Sequence, residues 1–308
     1  MIGERMRVTE EVATALAAGG PVVALESTIL AHGLPPGRNR EVATEIEDAV
    51  RAAGAVPATI AVLDGQIRVG LTAAELDRVC AANAGLAKLS ARDLGPAIAL
   101  TRDGATTIAG TSVIAHAAGI GVFGTGGMGG VHLPPPGDAL SWDVSADLDV
   151  LSSTPITVVC SGVKSVLDIG ATIEVLETRS VPVLGYRTGF FPAFYRRESK
   201  FPLPWRVETP AEAAAVITAH RAQGLGSGVL LTNPIPAEDE MDQELHDRLL
   251  KEGMARVADE GVRGGDVTPV LLEHFHTASG GVSLDANVAL VLSNVSLAAE
   301  VAVALARS

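Results

Sequence analysis

The sequence predicts an α/β fold, a three-layer α/β/α arrangement whose mostly parallel central sheet is covered by helices on both faces. Three features predict it. Six short β-branched runs, "PVVALEST", "PATIAVLD", "IGVFGTGG", "ITVVCSG", "VPVLGY" and "GVLLTNPI", are near-continuously apolar, as strands buried on both faces must be, whereas a half-exposed sheet would alternate. Segments of helical periodicity lie between them, and that alternation is the mark of α/β layers. Beyond about residue 236 the strand runs cease and the chain becomes mostly helical. We therefore expect one α/β domain over residues 1–308 with a helical C-terminal part packed on it.

Taken in order, the N-terminal "MIGERMRVTEEVATALAAGG" carries acidic residues among its apolar positions. It lacks the continuous apolar core of an export signal, so a cytoplasmic protein is expected. The first strand run ends on Glu26, Ser27 and Thr28, and the helical segment "REVATEIEDAVRAAG" follows. "GATTIAGTSVIAHAAG", "KSVLDIGATIEVLETR" and "TPAEAAAVITAHRAQG" are the next helices, several of them ended by glycine, which accepts the left-handed conformation of a helix terminus. The Pro-bearing "YRRESKFPLPWRVETP" is the place for a long loop, either a lid or a subunit contact. "DQELHDRLLKEGMARVADEG", a helix starting near "DVTPVLLEHFHTASGG", and "NVALVLSNVSLAAEVAVALARS" close the chain. The last is the one candidate for a membrane span, but Asn294 and Glu300 would be expensive inside a bilayer. A buried or subunit-contacting helix is the better expectation, with no membrane partner.

Composition narrows the function. With 308 residues and 47% hydrophobic content, the chain can bury a large core. Its net charge of −13 argues against a nucleic-acid polymer, which demands clustered Lys and Arg to displace counterions. One phosphorylated small molecule needs only a few local donors. The two cysteines, Cys80 and Cys160, make no disulfide framework, and Cys160 in "ITVVCSG" reads as a buried reduced thiol of a reducing compartment.

The stretch "GTGGMGGVHLPPPG", residues 124–137, fits G-x-G-x-x-G through Gly124, Gly126 and Gly129. A dinucleotide fingerprint must open a helix at its third glycine. Here the chain runs into His132 and Pro134 to Pro136, which remove donors and oppose a helical start. Two readings remain for the glycines: converging backbone N–H groups that form an anion nest, or a tight turn that needs positive φ.

Chemistry in such sheets collects beyond the carboxyl ends of the strands. The polar residues found there are Glu26, Ser27 and Thr28, the glycine loop with His132, then Ser161, Gly162 and Lys164, and finally Asn233. Lys164 lies between an apolar strand and an apolar helix, where the positive end of a helix dipole and desolvation would favour the neutral amine, the form that builds a Schiff base. The plain alternative is a surface lysine whose stem covers apolar area. Glu26 ends a buried strand, so its pKa should rise toward that of a general acid; helix capping or an ion pair is the alternative. Asp143 and Asp147 are spaced i, i+4 and would share one helix face, open to a hard divalent ion, unless they simply mark a solvated helix start.

Together these segments resemble one family. "PVVALESTILAHGLPPGRNREVATEIEDAVRAAGAVPATIAVLDGQIRVGLT", "KLSARDL", "GATTIAGT", "VFGTGGMGGVH", "DVSADL", "VVCSGVKSVLDIG", "LETRSVPVLGY", "FPAFY" and "TNPIP" are similar, in that order, to the pseudouridine-5′-phosphate glycosidases, from about residue 20 to the C-terminal helix. The resemblance implies a lyase that reversibly splits the C–C glycosidic bond of pseudouridine 5′-phosphate into uracil and ribose 5-phosphate, with a divalent metal, typically Mn2+, and a homotrimer. It implies that Glu26 is the proton donor for ring opening and Lys164 the nucleophile that forms an imine at the sugar C1. By position in the motifs, Lys88 should contact the phosphate or sugar and Ile108 should act through its backbone. Asp143 should hold the metal, and Ser145, Ala146 and Asp147 should line the substrate site. His132 and Asn287 are placed near the uracil or the metal's water shell.

The implied chemistry is reasonable, because a C-glycoside has no leaving heteroatom for two-carboxylate hydrolysis to act on, while an open-chain imine supplies an electron sink. Two departures stand out: "LPPPGDALSW" between His132 and Asp143 is longer than expected and lacks an Arg after the His, and Ala91 replaces a second basic residue. They leave room for a related C-glycosidase or C-glycosynthase acting on another base or aglycone. A rival of a different class is a non-catalytic sugar-phosphate binding protein, in which Lys164 only neutralises the phosphate.

Overall fold

The computed structural model describes residues 5–134, 142–262 and 267–307. An 11-stranded sheet runs through it. Its parallel centre follows the order β3 (Val56–Leu63), β2 (Val22–Leu25), β7 (Val122–Gly124), β9 (Thr157–Cys160), β13 (Val229–Thr232) and β11 (Val183–Tyr186). These are the six apolar runs. Shorter strands extend the edges: β4 (Gln66–Val69) and β1 (Met6–Val8) beyond β3, β12 (Trp205–Val207) beyond β11, and the pair β5 (Ala87–Leu89) and β6 (Gly104–Thr106), with β6 antiparallel to β3. A separate antiparallel pair joins β8 (Val131–His132) to β10 (Leu167–Asp168).

Side-chain alternation sorts each central strand onto two cores. Val23 and Leu25 of β2, Val159 of β9 and Leu231 of β13 enter one. Val22 and Ala24, Val158 and Cys160, and Leu230 enter the other. The first core is closed by α2 (Arg38–Ala52), α3 (Ala73–Cys80), α8 (Pro210–Ala222) and α11 (Val282–Ala306). The second is closed by α1 (Glu10–Ala17), α4 (Leu94–Ala99), α5 (Ile108–Ala117), α6 (Ala146–Ser153) and α7 (Ile169–Thr178). Helices α9 (Gln243–Asp259) and α10 (Val267–Ala278) pack on each other and give residues to both cores. The three layers and the helical C-terminal part are thus as expected, because a strand with two buried faces can spare no polar positions.

α11 is long and apolar enough to cross a bilayer, yet it lies against β2, β7, β9, α2 and α8, and its Asn287 and Asn294 are buried. Two helical expectations shorten. "GATTIAGTSVIAHAAG" begins as β6 and turns helical only at Ile108, after Thr107 caps the helix by accepting from Gly110 N–H. "KSVLDIGATIEVLETR" becomes helical only at Ile169, where the Asp168 carboxylate accepts from Ala171 N–H at 2.9 Å. The loop around residues 187–204 is no free lid, since Phe191, Phe194 and Tyr195 are buried and Phe194 N–H donates to Ser161 O at 3.0 Å.

Candidate active site

Because the central strands are parallel, the residues after β2, β7, β9 and β13 meet at one edge of the sheet. Glu26 follows β2, and its Oε1 accepts from Thr125 Oγ1, just after β7, at 2.5 Å. The turn is locked from below. Ser27 Oγ donates to Ile60 O (2.6 Å) and accepts from Thr106 N–H (2.9 Å), while Thr28 Oγ1 donates to Thr106 O (2.5 Å). A single π-helical turn, Ile29–Gly33, follows, a form often found at functional sites. Burial pushes the Glu26 carboxyl above its ordinary range; the Lys164 charge and the Thr125 hydroxyl pull the other way, and Asp147 adds a further upward push. A cavity of about 10 Å³ lies behind Glu26, lined by Ile29, Ile46, Val291 and Val295 among others. That is at the limit for one water, so the void leaves no room for bulk solvent on that side of the carboxyl.

Lys164 is partly buried and opens a tight turn, its carbonyl accepting from Leu167 N–H at 3.0 Å, five residues before α7 begins. The dipole argument for its amine therefore does not hold, because Asp168 caps the helix well downstream. What positions Lys164 is the glycine loop: Met128 N–H donates to Gly162 O (3.0 Å), Lys164 N–H donates to Met128 O (3.2 Å), and Ser161 N–H donates to Gly126 O (2.8 Å). Gly162 takes φ +79°, and a Cβ there would meet Pro192 O. The Lys164 charge acts on both Glu26 and His132.

The loop's N–H groups are largely spent inside the protein. Thr125 N–H donates to Val159 O (3.0 Å), Gly129 N–H to Asp147 Oδ2 (2.9 Å), Val131 N–H to Thr172 Oγ1 (3.0 Å) and His132 N–H to Asp143 O (2.9 Å). It is a close-packed loop rather than an open anion nest, but none of its glycines takes a positive φ; close approach is what demands glycine, since at Gly129 a Cβ would collide with Ser145 Oγ. No helix follows Gly129; the chain enters β8.

Asp143 and Asp147 do not share a helix face. Ser145, with extended backbone, caps α6 by accepting from Asp147 N–H (3.2 Å), so Asp143 precedes the helix. Asp147 is buried, and its two oxygens accept from Ala109 N–H and Gly129 N–H, both at 2.9 Å. It ties the start of α5 to the glycine loop. Asp143 Oδ2 lies 3.8 Å from His132 Nδ1. Burial lowers the His132 pKa, Asp143 opposes that, and the Lys164 and Lys88 charges reinforce it. Among the described residues no three His, Cys, Asp or Glu side chains converge as a metal cage. One carboxylate beside one imidazole still fits a hard divalent ion that takes one or two protein donors, with substrate and water completing its shell.

The other expected residues fall around this edge. Lys88 is exposed on β5, and its charge reaches both His132 and His32. Ile108 is the first residue of α5 and buried; with Ala109 and Gly110 N–H engaged by Asp147 and Thr107, its N–H is the first-turn donor that helix geometry leaves without an internal acceptor. Ala146 opens α6 at the surface. Asn287 on α11 is buried, its Oδ1 facing Gly126. Asn233 is turned inward, donating to Ser293 Oγ and Asn294 Oδ1, each at 3.0 Å. Cys160 is inert, its thiol pushed up to about 12 by burial. The part of "LPPPGDALSW" at 135–141 lies outside the described residues.

Three contributors escape sequence reasoning: Thr125, which bonds Glu26; His32 on the π-turn, whose pKa burial and Lys88 lower; and Asn294. The one available signal was "SN" inside an otherwise apolar helix. A larger cleft of about 470 Å³, lined by His116, Pro155, His220, Arg221 and Ser227 among others, opens at the amino ends of β7, β9 and β13, away from this chemistry.

Residues 11–304 match the family described as indigoidine synthase A like protein. The chain is 54% identical over 297 residues to a pseudouridine-5′-phosphate glycosidase of Salinispora tropica, covering 96% of this chain and 90% of that protein. It is 53% identical over 298 residues to the enzyme of the same name from Symbiobacterium thermophilum, covering 96% of each. Among solved structures, the prealnumycin C-glycosynthase AlnA in complex with ribulose 5-phosphate superposes with a TM-score of 0.89 at 44% identity, covering 98% of this chain and 97% of that one. An indigoidine synthase A-like protein of Thermotoga maritima gives 0.88 at 35% identity, with the same coverage. With Glu26 and Lys164 within electrostatic reach of each other at the carboxyl edge of the sheet, and with such relatives along nearly its whole length, the chain belongs to the pseudouridine-5′-phosphate glycosidase family.

Proposed function

We propose that the protein is an enzyme that reversibly cleaves the C–C glycosidic bond of pseudouridine 5′-phosphate to give uracil and ribose 5-phosphate, with the whole chain as the catalytic unit. The observation that carries this reading is the partly buried Glu26 carboxyl within electrostatic reach of the Lys164 side chain, an acid and an amine that C–C cleavage through an imine requires. Glu26 gives its proton to the ring oxygen as the C1′–O4′ bond opens, and Lys164 Nζ bonds to C1′. The C1′–C5 bond then breaks, its electron pair leaving with uracil, whose C5 takes up a proton. Water finally hydrolyses the Lys164 imine and frees ribose 5-phosphate and the amine.

Lys88 and the Ile108 N–H are assigned to the sugar phosphate, and Ser145, Ala146 and Asp147 to the lining of the site. His132 and Asn287 are assigned to the base side. Asp143, with His132 beside it, is the donor set for a divalent ion such as Mn2+, which supplies positive charge for substrate oxygens when bound. The proposed assembly is a homotrimer, testable by sedimentation. The free, buried Cys80 and Cys160 support a cytoplasmic setting.

The 44% identity to AlnA and the Ala91 departure support a second reading, a C-glycosynthase that joins a pentose phosphate to another aglycone. The test is incubation with ribose 5-phosphate, uracil and Mn2+, with borohydride added to a parallel sample. Pseudouridine 5′-phosphate plus a reduced adduct on Lys164 is the expected result. An adduct without product would move the assignment to the second reading, and neither signal would favour a binding protein.

A further inference from the structure

Asn294 lies at the middle of α11, fully buried among Leu290, Val291, Val295, Leu297 and Ala298 of the same helix. Its position, 12 residues from either end, rules out a capping role, and its carboxamide is used toward other parts of the chain. Nδ2 lies 2.8 Å from Thr125 O, 3.1 Å from Gly126 O and 3.0 Å from Ser161 Oγ. Oδ1 accepts from Asn233 Nδ2 at 3.0 Å, with Ser161 Oγ 3.4 Å away. Both ends of the amide are thus occupied by protein atoms, so the side chain can neither flip nor drift without leaving a buried polar group unpaired.

Its partners sit at the roots of the two reacting groups. Thr125 carries the hydroxyl that bonds Glu26, and Ser161 begins the turn that runs to Lys164, only three residues on. We propose that Asn294 is a positioning residue of this active site: one buried carboxamide holds the Thr125–Gly126 peptide and the Ser161 corner together and so fixes Glu26 against Lys164. The inference rests on the reading of those two as acid and nucleophile. No other residue type serves. Leucine has the shape without the bonds, and aspartate would turn a second oxygen toward two carbonyls. A displacement of about 1 Å between reacting groups costs on the order of a hundredfold in rate.

The test compares the wild-type protein with Asn294→Leu in two ways. In the ligand-free protein, amide hydrogen exchange should speed up about tenfold or more at Thr125, Met128, Ser161 and Lys164, whose N–H bonds join the two loops, while β3 and β11 keep their protection. In the assay, kcat should fall about 10- to 100-fold with KM for ribose 5-phosphate within about threefold. The pH limb of Glu26 should also move to higher pH, because a loosened Thr125 hydroxyl no longer favours the ionised carboxylate.

Wild-type kcat, or exchange that quickens evenly through α11 and the sheet, would overturn the proposal. Should Asn294→Leu not fold, Ser161→Ala removes one bond of the hub. A kcat loss of about 3- to 10-fold at constant KM then supports it, and an unchanged kcat sinks it. If the wild-type protein itself forms no product, the functional reading fails while the exchange data still decide whether Asn294 holds the two loops.

Discussion

At the scale of single residues, the acid role proposed for Glu26 predicts the pH behaviour. A general acid must be protonated, and burial holds this carboxyl protonated above its ordinary range. The rate should therefore fall as pH rises through that elevated pKa, and Glu26→Gln should lose about 10²- to 10⁴-fold and flatten the limb. The same group bears on stability. With its folded pKa above the unfolded one, the native state binds more protons in between, so stability declines as pH rises across that window. Glu26→Gln should melt higher than wild type at neutral pH and no higher at about pH 4; an unchanged difference would remove the burial argument. Lys164→Ala should abolish both turnover and the borohydride adduct while leaving the melting curve cooperative, and residual adduct would point to another amine. Asp143→Ala should raise the metal concentration needed for half-maximal rate, and an unaltered metal titration would cancel the ligand assignment. Glu26 and Lys164 stand out in the sequence as candidates because each follows an apolar strand run, but their own chemistry left an ion pair and a surface lysine open, and only the family resemblance gave them roles. Thr125 and Asn294 do not stand out, since their partners lie 99 and 169 positions away and only the closed fold pairs them.

At the scale of elements, the glycine loop is the part whose shape sequence reasoning could bracket but not decide. The prolines after His132 correctly argue against a cofactor helix, yet nothing local reveals that Gly129 N–H goes to Asp147 and Gly126 O to Ser161 N–H. The i, i+4 spacing of Asp143 and Asp147 misleads for a related reason, as Ser145 between them is a better N-cap than a helix interior residue. Short outer strands such as β4, β5 and β6 were missed because three or four residues give no periodicity to read. A direct prediction belongs here. Gly129→Ala puts a methyl into Ser145 Oγ and crowds Asp147 Oδ2, so it should destabilise by about 1–3 kcal/mol and lower activity more than an alanine at Gly189, where a Cβ meets open space. Equal effects of the two substitutions would show that the loop's closeness to α6 does not matter.

For the molecule as a whole, the parallel strands bring Glu26, Thr125 and the turn to Lys164 to one rim, and α11 spans β2, β7 and β9 beneath it. The six strands, the layers and the helical tail could all be read from hydrophobic patterning, because burial on both faces leaves a strong imprint. The order β3-β2-β7-β9-β13-β11 could not, as patterning says which face is buried but not which strand is the neighbour. Removing residues from Val282 onward should leave a chain that binds a hydrophobic dye and shows no cooperative melting, since Val291, Val295 and Ala298 seal the core over β2 and β7. A cooperative transition in that truncated chain would count against this role.

The position of α11 also has a consequence for biogenesis. The helix that completes the rim follows, in the chain, everything it packs on. A ribosome-bound chain that already holds all six central strands has an uncovered apolar trough until α11 emerges, an interval in which holdase chaperones can act.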